Sequence, residues 1–108
     1  MKEQEKQLLL KDLCARLPYG VICKLSAKDA DVSVTEKLDI GGLEHFIFGT
    51  MDVKPYLRPM SSMTEEEGKE LGEHITIYDD VDWMLAHHFD VHNLIEKGLA
   101  LEAPKGMY

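Results

Sequence analysis

The chain reads as an α+β domain, a small antiparallel sheet of three or four strands packed with an N-terminal helix and short C-terminal helices. Three observations predict this. Apolar residues first recur with the 3.6-residue period of a helix, then between Val21 and Ile40 with the two-residue period of a strand, and helix-start signals return after residue 62. At 108 residues, 44% of them apolar and 30% charged, the composition suits one folded domain spanning residues 1–108.

Leu10, Leu13, Cys14 and Leu17 fall at i, i+3, i+4 and i+7, which predicts one buried face of a helix over residues 3–17, with Lys6, Lys11, Asp12 and Arg16 elsewhere on its surface. Pro18 disfavours helical geometry in the residue before it, so the helix is expected to stop by Leu17 and Tyr19-Gly20 to turn the chain. Val21, Cys23 and Leu25 then alternate with Ile22 and Lys24. Val32, Val34, Leu38 and Ile40 alternate with Asp31, Ser33, Thr35, Lys37 and Asp39, giving two strands with one wet face, joined by a polar turn at 26–30. Gly41-Gly42 reads as a tight hairpin into a third strand within 43–53, completing a meander. Pro55 and Pro59 each remove a backbone donor, so 54–60 is expected as an extended connector rather than a central strand.

Ser62-x-x-Glu65 and Thr64-x-x-Glu67 both fit a capping box and predict a helix from near Thr64, kept short by Gly68 and Gly72. Ile75 to Tyr78 reads as a brief fourth strand. Asp79-Asp80 offers an N-cap for a helix over 80–88, with Val81, Met84, Leu85 and His88 on one face. Asp90 offers a second N-cap, for a short helix that ends in a Schellman motif at Gly98 with Leu99 packed back on Leu94. Two short helices would then meet at Phe89-Asp90.

The formal charge is −8, and the acid is concentrated in the second half: residues 1–17 carry four basic and three acidic groups, residues 73–108 two and seven. No run of Lys and Arg appears, which argues against nucleic-acid binding and against anionic membrane surfaces. The longest unbroken apolar run near the N-terminus is Leu8-Leu9-Leu10, so no signal peptide or membrane span is expected and the location reads as cytoplasmic. Cys14 and Cys23 both fall on patterns that look buried and are expected as reduced core thiols.

Candidate chemistry centres on residues 82–93, where His87, His88 and His92 lie among aspartates. His88 and His92 are four apart, a zinc-binding spacing on a continuous helix, and a metal-dependent enzyme built on His87, His88 and His92 is the alternative functional reading. A third ligand would have to come from His74, Asp79 or Asp82, and Asp90, read as a cap, would bend the chain between the two histidines. Capping and solvation account for Asp79, Asp80 and Asp82, and no phosphate loop, nucleophile elbow or Cys/His zinc spacing is present. No catalytic, metal or cofactor residue is therefore assigned. An acidic inhibitor that mimics a nucleic acid is a third reading, resting on the tail charge alone. Tyr56, Arg58 and Met60, on the proline-stiffened segment, together with Trp83, form the candidate interaction surface, since aromatic and arginine side chains bury area at interfaces while keeping hydrogen-bonding tips.

Three blocks carry a resemblance: Leu13 to Val21, Lys54 to Glu67, and Asp82-Trp83 through His87-His88-Phe89-Asp90 with Leu94 to Ala100. Over about half the chain they resemble a family of small, uncharacterised gut-bacterial proteins, some associated with prophage-like or mobile elements. The resemblance implies an accessory protein and supplies no site residues. The expected function is a non-enzymatic protein-interaction or accessory module, without cofactor, that binds a protein partner or self-associates.

Overall fold

Helix α1 runs over Glu3–Arg16 in the computed structural model, which describes residues 2–73 and 77–108. Pro18 follows in a 3-10 turn over Leu17–Tyr19, and Gly20 takes the left-handed conformation that redirects the chain. The buried stripe of α1 is Leu9, Asp12, Leu13 and Arg16, one residue N-terminal of the expected one. Asp12 and Arg16 satisfy each other inside the protein, which lets their face turn inward, and Cys14 is left exposed. The expectation that both cysteines are buried therefore holds for Cys23 alone.

The sheet comprises β1 (Ile22–Ala27), β2 (Ser33–Lys37), β3 (Met51–Leu57) and β4 (Leu101–Glu102), in the spatial order β2-β1-β3-β4. β1 pairs antiparallel with both β2 and β3, whereas β4 runs parallel to β3, so the sheet is mixed. Cys23, Leu25, Val53 and Leu57 point to the side covered by α1, where they share one core with Leu9, Leu13, Val21, Phe46, Leu94 and Leu99.

Between β2 and β3 the chain forms α2 (Ile40–Phe48) instead of the expected hairpin and strand, so the connection is a crossover and no meander forms. Asp39 is the reason: its carboxylate accepts from Gly42 N at 2.8 Å and caps the helix. Gly42 faces the sheet so closely that a Cβ would lie 3.3 Å from side-chain carbons of Leu25 and Leu38. Gly42 thus serves close packing rather than a turn. Gly49, with φ 74°, ends α2 in a Schellman motif, its amide bonding to Phe46 O and that of Thr50 to His45 O.

Pro55 lies inside β3, contrary to the connector reading, and is fully buried. Register explains the tolerance. Pro55 stands opposite Cys23, and beyond that pair Ile22 N and Tyr56 O both turn into the β1/β3 seam, where the Tyr108 hydroxyl binds them. Alternation then points the Pro55 nitrogen away from β1, toward a side where β4 reaches only Tyr56 and Leu57.

Helix α3 (Glu65–Gly72) begins as expected, with the reciprocal Thr64/Glu67 capping box formed. Helix α4 (Ile77–Ala86) starts three residues earlier than expected, which places Asp79 and Asp80 in its first turn and removes Ile77 and Tyr78 from any strand; Ile75 and Thr76 lie outside the described residues. The fourth strand forms instead at Leu101–Glu102. Residues 91–98 form turns rather than a second helix, because Asn93 is left-handed and the Asp90 carboxylate accepts from Leu94 N and Ile95 N, too far along the chain for an N-cap. The ending at Gly98 is as expected, with Gly98 N bonded to Ile95 O and Leu99 N to Leu94 O. Among the described residues no helix is long and apolar enough to cross a membrane.

Candidate functional site

The densest polar chemistry lies where α1, the end of α4 and the 103–108 segment meet. Asp12 and Arg16, one helical turn apart, are both fully buried and joined by Arg16 Nε to Asp12 Oδ1 at 2.6 Å and Nη2 to Oδ2 at 3.2 Å. Arg16 Nη2 also donates to Phe89 O at 2.7 Å, which ties α1 to the corner after α4. Asp12 Oδ2 is shared with His92 Nδ1 at 2.7 Å. Among the described residues Arg16 Nη1 is buried without an acceptor. Cys23 lies beside this pair, and burial, with Asp12 adding to it, pushes its thiol up to about 12, which makes it inert as a nucleophile at neutral pH.

The three histidines separate. His92 bonds to Asp12, His87 bonds through Nδ1 to Trp83 O and stacks on the Trp83 ring at 4.0 Å, and His88 stacks on Tyr108 at 3.7 Å. His88 and His92 therefore point to different places, and among the described residues no set of three His, Cys, Asp or Glu side chains gathers to hold a metal. His74 lies outside the described residues.

His88 ends α4 in its own Schellman motif, with His88 N on Leu85 O and Phe89 N on Met84 O. It does so at φ 66°, a conformation that costs a non-glycine residue about 1–2 kcal/mol. Its Nδ1 is buried without a hydrogen-bond partner among the described residues. Burial first, then the positive charges of Arg16, His87 and Arg58, bring its pKa down to about 4, so the ring is neutral at pH 7.

Of the four residues expected at an interaction surface, Met60 is exposed and Tyr56 half-buried, whereas Arg58 and Trp83 are engaged internally. Arg58 forms a bidentate pair with Glu67 at 2.7 Å for both contacts and lies 4.2 Å above the Phe89 ring, which in turn stacks on Trp83. The Arg58 hydrogen bonds hold the Glu67 carboxyl down at about 2. Beside this pair opens a cleft of about 810 Å³, walled on its other side by Pro104, Lys105 and Tyr108.

Two surface features escaped the sequence reading. Val34, Ile40, Ile47 and Phe48 are exposed, and Ile40 and Ile47 share one side of α2 by their seven-residue spacing. For the three residues of α2 the signal in the sequence is the Asp39 cap ahead of an apolar run, which competes there with a strand pattern. Lys24, Lys37 and Lys54 project from three adjacent strands onto the sheet face away from the core, with Lys24 directly opposite Lys54. Residues so far apart in the chain form no run in sequence.

Comparison with family models, with curated proteins and with solved structures finds no match, so the functional reading rests on the residues themselves.

Proposed function

We propose that the chain is a protein-interaction module that pairs with a second copy of itself through the outer edge of β2 and the adjoining apolar flank of α2. The observation that carries this is the exposure of Phe48 at 77%, Ile40 at 66% and Val34 at 47% together with the outer edge of β2, which is unpaired among the described residues. Leu38 N bonds Val21 O and Ala27 N bonds Val32 O, so the backbone groups of Val32, Val34 and Glu36 turn toward β1. By alternation those of Ser33, Thr35 and Lys37 face outward. Val34 is opposite Leu25, on which Gly42 of α2 packs, so α2 lies over the same side of the sheet as Val34.

An antiparallel two-fold centred on Val34 sets it against its symmetry mate and Ser33 against Thr35, a self-complementary register. Light scattering over a concentration series, combined with amide exchange, tests it: mass is expected to rise toward the dimer as the Ser33 and Thr35 amides gain protection. The double substitution Val34→Lys with Phe48→Lys is expected to restore the monomer with the fold intact. A monomeric mass throughout, with unprotected Ser33 and Thr35 amides, overturns the proposal.

A further inference from the structure

Three locally unfavourable features surround the ring of Tyr108. The β1/β3 pairing ends at Cys23 and Pro55, and the next pair, Ile22 and Tyr56, opens to admit the Tyr108 hydroxyl, which accepts from Ile22 N at 2.8 Å and donates to Tyr56 O at 2.7 Å. His88, the stacking partner, is held left-handed. Its Nδ1 is buried without a partner among the described residues. Strain of this kind collects where a particular surface has to be presented. Here that surface is a flat imidazole, 14° from parallel with the ring it faces, beside a backbone donor, Ile22 N, and a near backbone acceptor, Tyr56 O, with Ile22 O at 3.4 Å, all placed for a single hydroxyl.

We propose that the end of the β1/β3 seam is a binding site for a phenolic ring, held in cis by Tyr108 and open to an external phenol when the 103–108 segment lifts. The recognition chemistry is specific to the neutral phenol: Tyr56 O requires a donor, Ile22 N an acceptor, and His88 a planar ring. Burial pushes the Tyr108 hydroxyl up to about 12, in keeping with a site that keeps the proton on. The same segment walls the 810 Å³ cleft opposite Arg58, Thr64 and Glu67, so release of the ring joins the seam to that cleft. Gly106, at φ 85°, is the bend that returns Tyr108 to the seam.

The test is Tyr108→Ala titrated with p-cresol, followed by thermal unfolding and by the Ile22 amide resonance, with toluene as the control lacking a hydroxyl. A saturable rise in Tm is expected, with the Ile22 amide returning to its wild-type position, no response to toluene, and a response in the wild type weaker by about tenfold or more because Tyr108 competes. If Tyr108→Ala is unfolded on its own, p-cresol is expected to restore a cooperative transition. Tyr108→Phe, which keeps the ring in place, is expected to exclude p-cresol while losing the Ile22 signal. A Tyr108→Ala protein that p-cresol leaves unshifted or unfolded, or one to which toluene binds equally well, overturns the proposal.

Discussion

Replacing Asp12 by alanine leaves the Arg16 guanidinium fully buried with Phe89 O as its remaining acceptor among the described residues, and removes the partner of His92. Stripping one partner from a buried ion pair costs about 3–5 kcal/mol, because the other charge stays desolvated. An unfolding entropy of about 2.1 cal/mol/K per residue turns this into a Tm drop of about 13–22 °C for a chain of this length. Against a typical domain stability of about 5–15 kcal/mol, the folded state is left marginal. Urea unfolding followed by Trp83 fluorescence measures the loss. The double variant Asp12→Leu with Arg16→Met removes both charges and is expected to be more stable than Asp12→Ala. If Asp12→Ala costs less than about 1 kcal/mol, a value typical of exposed pairs, or if the double variant is less stable than Asp12→Ala, burial of an interdependent pair is refuted.

His88 binds its proton only below about 4 in the folded chain, against an ordinary 6.5, so between these values the unfolded chain holds more protons. Its contribution to stability is expected to be complete above about pH 6.5 and to fall as pH drops toward 4; His88→Asn, which tolerates the left-handed backbone, should flatten that part of the urea-midpoint profile. Arg58→Lys gives up the bidentate geometry on Glu67 and the guanidinium face on Phe89, with an expected loss of about 1–2 kcal/mol in chemical unfolding and an upward move of the Glu67 pKa by NMR titration. A thiol reagent is expected to modify Cys14 quickly and Cys23 only on unfolding, so Cys14→Ser should abolish fast labelling of the native protein.

Where local chemistry dominated, the sequence was a sufficient guide. The stop at Leu17-Pro18, the alternation through Val21, Cys23 and Leu25, the Thr64/Glu67 box and the Gly98 ending all formed, because each depends on residues within a few positions of one another. The errors share a different origin. Asp12 and Arg16 are charged, so hydropathy sends them outward, and it is their mutual pairing together with the distant Phe89 carbonyl and His92 ring that makes their burial tolerable. Pro55 enters a strand because its register aims the missing donor away from β1, a fact set by pairing with a segment some thirty residues earlier. Gly41-Gly42 favours a turn in isolation, yet Asp39 caps a helix there and Leu25 and Leu38 pack within 3.3 Å of where a Cβ on Gly42 would lie. The interior of the candidate site was hidden for the same reason, since its partners come from opposite ends of the chain.

The histidine cluster shows most clearly how a spacing argument fails. His88 and His92 lie four apart, but that places them on one face only if the helix continues, and the chain leaves α4 at His88 itself. At the two corresponding endings, Gly49 and Gly98, the left-handed position is filled by the residue that adopts it without strain. Glycine at position 88 would ease the backbone in the same way and would also remove the flat surface against which Tyr108 lies. The fold therefore accepts a strained histidine where it gains a ring contact. That contact is tied through the Tyr108 hydroxyl to Ile22 on β1 and Tyr56 on β3, and the neighbouring Phe89 carbonyl is held by Arg16 of α1. Proximity in sequence suggested one site shared by three histidines; the structure instead gives each histidine a separate partner and makes His88 the point where helix ending, sheet seam and 103–108 segment are joined.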